Sequence, residues 1–97
     1  MEAKHSLARN WIRKARRDLL SAKRLASGPD PYFDTAIYHC QQSAEKVIKG
    51  WLVYHDHSFE KTHDLRLLVT MAADLESKFA DWLDAAERIS PYSTVYR

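Results

Sequence analysis

Apolar positions recur along this chain at spacings of three and four, the period of helices with one buried face. The first run starts near Ser6, a good N-cap, and ends at Ser27-Gly28-Pro29. At 100° per residue, Leu7, Ala8, Trp11, Ile12, Ala15, Leu19, Ala22, Leu25 and Ala26 fall within roughly 140° of arc, opposite a basic face. Leu20 is a bulky misfit. Asp18 lies near the edge of the apolar stripe, a position that calls for a partner from a neighbouring helix.

Gly28-Pro29-Asp30-Pro31 breaks the chain, with Asp30 and Pro31 suited to the N-cap and first position of a second helix. That helix runs to about Tyr54, and its period predicts a core stripe of Phe33, Ala36, Ile37, Cys40, Ala44, Val47, Ile48 and Trp51. The polar string 55–61 reads as a loop. Thr62 is the expected N-cap of a third helix through Leu65, Leu68, Val69, Ala72 and Leu75, with Asp64 favourable in its first turn. A fourth helix follows, its face formed by Phe79, Trp82, Leu83, Ala86 and Ile89, and Ser90-Pro91 stops it. No stretch alternates with period two, and there is no internal repeat.

Helices of this length joined by short connections predict an all-α fold, an up-and-down antiparallel helical bundle of four main helices. The last six residues leave room for a short fifth. With 97 residues the chain fits one domain, residues 1–97, and its 45% hydrophobic and 29% charged residues are those of an ordinary globular protein. A bundle this small buries little surface, so Trp11, Trp51 and Trp82 serve either the core or a dimer interface. The single Cys40, on the predicted apolar face, is expected to be a small core residue. No run approaches the roughly 20 apolar residues of a membrane span and the N-terminus lacks a signal-peptide block, so a cytoplasmic location is expected.

Charge adds an asymmetry. Residues 1–24 contain eight Lys/Arg and two Asp/Glu, a net of +6, whereas the remaining 73 carry seven and eleven, a net of −4. Arg9, Arg13, Arg16, Arg17 and Arg24 make the first helix a basic strip able to bind RNA, DNA or an acidic partner. A merely solvated basic face would have the same pattern.

Candidate chemistry concentrates in the second helix. His39, Gln42 and Lys46, at spacings of three and four, form a row on the side away from the predicted core stripe. Such a row can hold a phosphate or a base edge, His and Lys donating and Gln pairing; a solvated face with a stray histidine shares the spacing. Lys61-Thr62-His63-Asp64 opens the third helix, where free backbone N–H groups favour an anion, and His39 and His63 would meet at one end of the bundle. His55, Asp56, His57 and His63 match no zinc spacing, and no P-loop, dinucleotide fingerprint or nucleophile elbow occurs, so no metal, cofactor or catalytic residue is assigned.

The string His39-Cys40-Gln41-Gln42-Ser43-Ala44-Glu45-Lys46-Val47-Ile48-Lys49, followed by Lys61-Thr62-His63-Asp64-Leu65, Ser90-Pro91-Tyr92 and Tyr96-Arg97, resembles the HEPN family, the higher eukaryotes and prokaryotes nucleotide-binding domain. Trp11, Ala15, Asp18, Leu19 and Ala22 match as well. The resemblance implies a bundle similar to the substrate-binding domain of kanamycin-type nucleotidyltransferases. It also implies a homodimer, and a place beside a minimal nucleotidyltransferase in a toxin–antitoxin-like pair. Relatives continue past the final Tyr-Arg with another helix, so a chain shortened at its C-terminus is expected. Several branches resemble metal-independent ribonucleases that use an Arg, four to six residues, then a His. None of the five histidines here, at 5, 39, 55, 57 and 63, has an Arg at that distance upstream. The expectation is therefore a binding module for a nucleotide, RNA or a partner subunit. It would contact its ligand through His39, Gln42, Lys46, His63 and Asp64, with Asp18 orienting a basic member of the set and Arg97 adding a cation. A toxin-like ribonuclease and a purely structural dimerisation domain are the alternatives.

Overall fold

A computed structural model describes residues 2–57, 59 and 64–82. Three α-helices appear among them, α1 (Glu2–Leu25), α2 (Phe33–Tyr54) and α3 (Leu65–Leu75), followed by a 3-10 segment at Ser77–Trp82. No strand occurs in the described residues, so the all-α expectation holds, while the four-helix count does not extend to them. The start of the expected fourth helix is 3-10, and the rest of it, residues 83–89, lies outside the described set, as do Thr62 and the C-terminal six.

Helix α1 begins four residues before Ser6 and stops where Gly28 takes φ +91°, a conformation that glycine enters without strain. The Tyr32 N–H donates to the Leu25 carbonyl at 2.7 Å and closes the connector. Tyr32, not Asp30, is the N-cap of α2, and no side chain bonds the cap. Asp64 takes the N-cap position of α3, its carboxylate accepting from the Leu67 N–H at 3.3 Å.

The α1–α2 pair is built on small residues at heptad spacing. Ala8, Ala15 and Ala22 on α1 and Ala36, Ser43 and Gly50 on α2 are all buried. A Cβ on Gly50 would lie 3.3 Å from the Ala8 carbonyl oxygen and 3.1 Å from the Trp11 Cβ, and the Ser43 hydroxyl donates to the Ala15 carbonyl at 2.8 Å. These two contacts set an antiparallel register that brings Ala22 opposite Ala36. At the open end Lys4 pairs with Asp56 at 3.0 Å, joining the start of α1 to the second residue after α2. On the opposite side of α2, Ile48 and Leu52 pack with Leu65, Leu68, Val69 and Ala72 of α3 in the apolar core, with Ala44, Trp51 and Phe59 against it.

Helix α2 therefore buries two faces, and this corrects the single stripe expected from its period. Phe33, Val47 and Tyr54 are exposed, Phe33 by 60%, and Cys40 is exposed rather than a core residue. Conversely Gln41, Gln42, Ser43, Glu45 and Lys49 are buried. On α1 the large stripe members Leu7, Ile12 and Leu19 remain exposed beside the alanines. Close backbone approach leaves room only for Cβ atoms, so large side chains splay to either flank.

Ala15, 2% exposed, is the sharpest probe of this packing. Ala15→Leu is expected to cost about 1–3 kcal/mol by forcing the helices apart, whereas Leu20→Ala, at an exposed position, stays within about 0.5 kcal/mol. Urea unfolding of the two variants decides it: equal midpoints would show that the small-residue seam does not set the helix separation.

Candidate functional site

Asp18 is the meeting point of the two long helices. Its position on one flank of the alanine row turns its carboxylate across the seam, where Oδ1 lies 3.0 Å from Nδ1 of His39 and Oδ2 accepts a hydrogen bond from Nζ of Lys46. His39 and Lys46 are seven residues apart, two turns of α2, so one carboxylate spans both ends of the row. The side chains are 14% exposed for Asp18, 28% for His39 and 25% for Lys46. The group is thus sheltered enough to be ordered and open enough to meet a ligand.

The donor inventory decides what this arrangement can hold. Lys46 has three N–H donors, of which Asp18 takes one. With Nδ1 turned to Asp18, the Nε2 edge of His39 is the one left to meet a ligand. The His39 ring also makes an edge contact with Tyr38, centroids 5.3 Å apart, and Lys14 lies one turn before Asp18 on the same flank, exposed and over the Trp11 ring. Sequence reasoning missed Lys14; its i, i+4 relation to Asp18 was the available signal.

A second polar string runs behind the first. The Gln42 side-chain amide donates to Oε1 of Gln41 at 2.9 Å, the Gln41 amide nitrogen approaches Glu45 at 3.5 Å, and Glu45, 1% exposed, lies 3.5 Å from Lys49. The Lys49 ammonium sits over the rings of Trp11 and Phe59, 5.4 and 5.6 Å from their centroids. Gln42 thus belongs to an internal chain, and the row His39, Gln42, Lys46 is part of the α1 interface rather than an outer face. Glu45 and Lys49 gave no sign of burial in the sequence, because charged residues at i, i+4 are usually solvated.

The other expected site residues are dispersed. Asp64 caps α3. His63 and Arg97 lie outside the described residues. Arg9, Arg13, Arg16, Arg17 and Arg24 are all exposed, as the basic strip requires. At 100° per residue, however, Arg9 and Arg16 fall on the flank of α1 opposite Asp18, so the basic strip and the Asp18 group are two surfaces. Among the described residues no three His, Cys, Asp or Glu side chains gather in a way that could hold a metal ion, and no helix is long and apolar enough to cross a membrane.

A family model for the HEPN domain matches residues 8–97. The chain belongs to the HEPN family. That family is one of nucleotide- and nucleic-acid-binding modules, and the match covers all of α2 and most of α1, so the Asp18 group lies within the HEPN portion. No curated protein and no solved structure matches the chain significantly.

The coupling across the seam of this HEPN chain can be measured directly. A double-mutant cycle of Asp18→Ala and Lys46→Ala is expected to return about 1–2 kcal/mol, above the roughly 0.2–1 kcal/mol of fully exposed pairs, because both partners are mostly sheltered. A coupling energy near zero in urea denaturation would mean that Asp18 does not hold Lys46 in solution.

Proposed function

We propose that this HEPN chain is a nucleotide- or RNA-binding module that holds a phosphate group against His39 and Lys46, both oriented by Asp18. The observation that carries this reading is the convergence of an imidazole and an ammonium on one partly buried carboxylate. Two donors fixed relative to each other lose little freedom when an anion arrives, and a charge-assisted hydrogen bond to phosphate is about twice as strong as a neutral one. Lys14 adds positive charge on the same flank. The companion role beside a minimal nucleotidyltransferase, in a toxin–antitoxin-like homodimeric unit, is supported by the family resemblance alone. So are the contributions of His63, Asp64 and Arg97.

One observation favours a second reading. A histidine whose Nδ1 faces a carboxylate has the orientation used in general acid–base catalysis, where the carboxylate fixes the tautomer and the far nitrogen moves the proton. In a ribonuclease of that kind His39 would act on the RNA 2′-hydroxyl while the exposed arginines of α1 grip the backbone, with no metal needed. The separation of the arginine strip from His39 weighs toward holding over cutting.

The two readings part in one set of measurements. Saturating AMP, ATP or a short RNA at 100 times Kd is expected to stabilise the chain by about 2.7 kcal/mol, with the gain lost in His39→Ala and Lys46→Ala and kept in Thr70→Ala. RNA incubated with the protein in EDTA is expected to remain intact; cleavage abolished by His39→Ala would establish the ribonuclease instead. A chain that no nucleotide or RNA stabilises would be a structural module only.

A further inference from the structure

The flank of the α1–α2 seam opposite Asp18 carries a surface that the nucleotide reading does not use. Phe33, Cys40, Val47 and Tyr54 form one unbroken heptad row on α2, and all four are exposed. His5, Ile12 and Leu19 on α1, with Ala26 just past its end, form a matching heptad row, also exposed. The antiparallel register sets these rows in layers: His5 with Tyr54, Ile12 with Val47, Leu19 with Cys40, and Ala26 with Phe33. The first layer is a direct contact, the His5 and Tyr54 rings stacking 5.3 Å apart. Around the next, a groove of about 480 Å³ opens between the helices, bordered by Arg9, Ile12, Val47 and Trp51. A third heptad row, Arg9, Arg16 and Lys23, runs along the outer edge of α1 and is fully on the surface.

Two antiparallel helices presenting parallel apolar rows across a shallow groove are two-thirds of a three-helix coiled coil. The rows extend over three heptads, about 31 Å at the helical rise. Exposed apolar side chains in one continuous strip bordered by charge mark a protein interaction surface rather than ordinary surface scatter. The bordering charge chooses the occupant. A second copy of this chain laid on the same face about a two-fold axis perpendicular to the helices would stack α1 on α1 and bring its own Arg9, Arg16 and Lys23 over these, placing like charges together. A helix with carboxylates on its flank meets the cations instead.

We propose that this groove binds an amphipathic helix of a different protein, lying along α1 and α2, with apolar residues on Ile12, Leu19, Val47 and Tyr54 and acidic residues opposite Arg9, Arg16 and Lys23. The surface stands independently of any ligand at Asp18, since the two flanks share only the alanine seam. Part of the basic strip of α1 thereby acquires a protein partner rather than a nucleic acid.

The test uses the full chain and two synthetic three-heptad helical peptides with leucine at the a and d positions, one flanked by glutamate and one by lysine. Fluorescence anisotropy is expected to show saturable one-to-one binding of the glutamate peptide and at least about tenfold weaker binding of the lysine peptide. The triple charge swap R9E/R16E/K23E, confined to exposed positions, is expected to invert that preference, and Val47→Asp to weaken the glutamate peptide at least tenfold. Equal affinity for both peptides, or no binding of either, overturns the proposal. So does a dimer in sedimentation that Val47→Asp dissociates, because the face would then belong to a second copy.

Discussion

The close approach of α1 and α2 is the constraint from which the rest of this molecule follows. Alanine, serine and glycine at heptad spacing let the backbones come near enough for a Ser43 hydroxyl to reach the Ala15 carbonyl and for a Cβ at Gly50 to crowd Trp11. At that distance there is no space between the helices for Leu, Ile or Phe, so the seam itself buries little apolar area per residue. Larger side chains are displaced to the two flanks. One flank gathers Asp18, His39 and Lys46; the other exposes Ile12, Leu19, Val47 and Tyr54. The bulk of the hydrophobic stabilisation then falls to the far side of α2, where Ile48 and Leu52 meet α3.

Two buried or half-buried carboxylates show how this fold treats charge differently on its two sides. Glu45 is almost wholly enclosed, and its Lys49 partner at 3.5 Å is too distant for a strong bond, so the aromatic faces of Trp11 and Phe59 help to balance the ammonium. Desolvation and attraction nearly cancel in such a pair, and its removal matters mainly because a lone charge would be left inside. Asp18 is at a margin instead, with two nitrogen partners and a side chain that is partly exposed. There each group keeps part of its hydration, so the desolvation cost is smaller than for Glu45. An internal pair is tied to packing; a marginal one is free to exchange partners with a ligand.

The sequence carried the spans of α1, α2 and α3 to within a few residues, the break at Gly28, and the demand of Asp18 for a partner across the seam. Those features are local, or are set by a residue type that is costly to bury alone. The direction of the core was less legible. Ala8, Ala15 and Ala22 looked like fillers among larger stripe members, when the contact runs through them and leaves Leu19 and Ile12 outside. On α2 the period averaged over two buried faces, and the predicted stripe took in the exposed Phe33, Cys40 and Val47 between them. Hydrophobicity reports which face would gain from burial. The separation of neighbouring helices decides which face is buried, and small residues report that only through their spacing.

The same geometry explains why one helix pair can offer two unlike surfaces without conflict. Asp18 and Arg16 are two residues apart in sequence, yet 100° per residue places them about 160° apart around α1. A carboxylate beside the basic strip would weaken its pull on an acidic partner, and an arginine beside Asp18 would compete with Lys46 for the carboxylate. The alanine row keeps them on opposite flanks. Since the row also fixes the register, a shift of one residue in either helix would swing Asp18 away from both His39 and Lys46 and break the apolar layers on the other side. Both surfaces therefore rest on one alignment, and an alteration of the seam is felt at each of them, whereas a change confined to one flank is not.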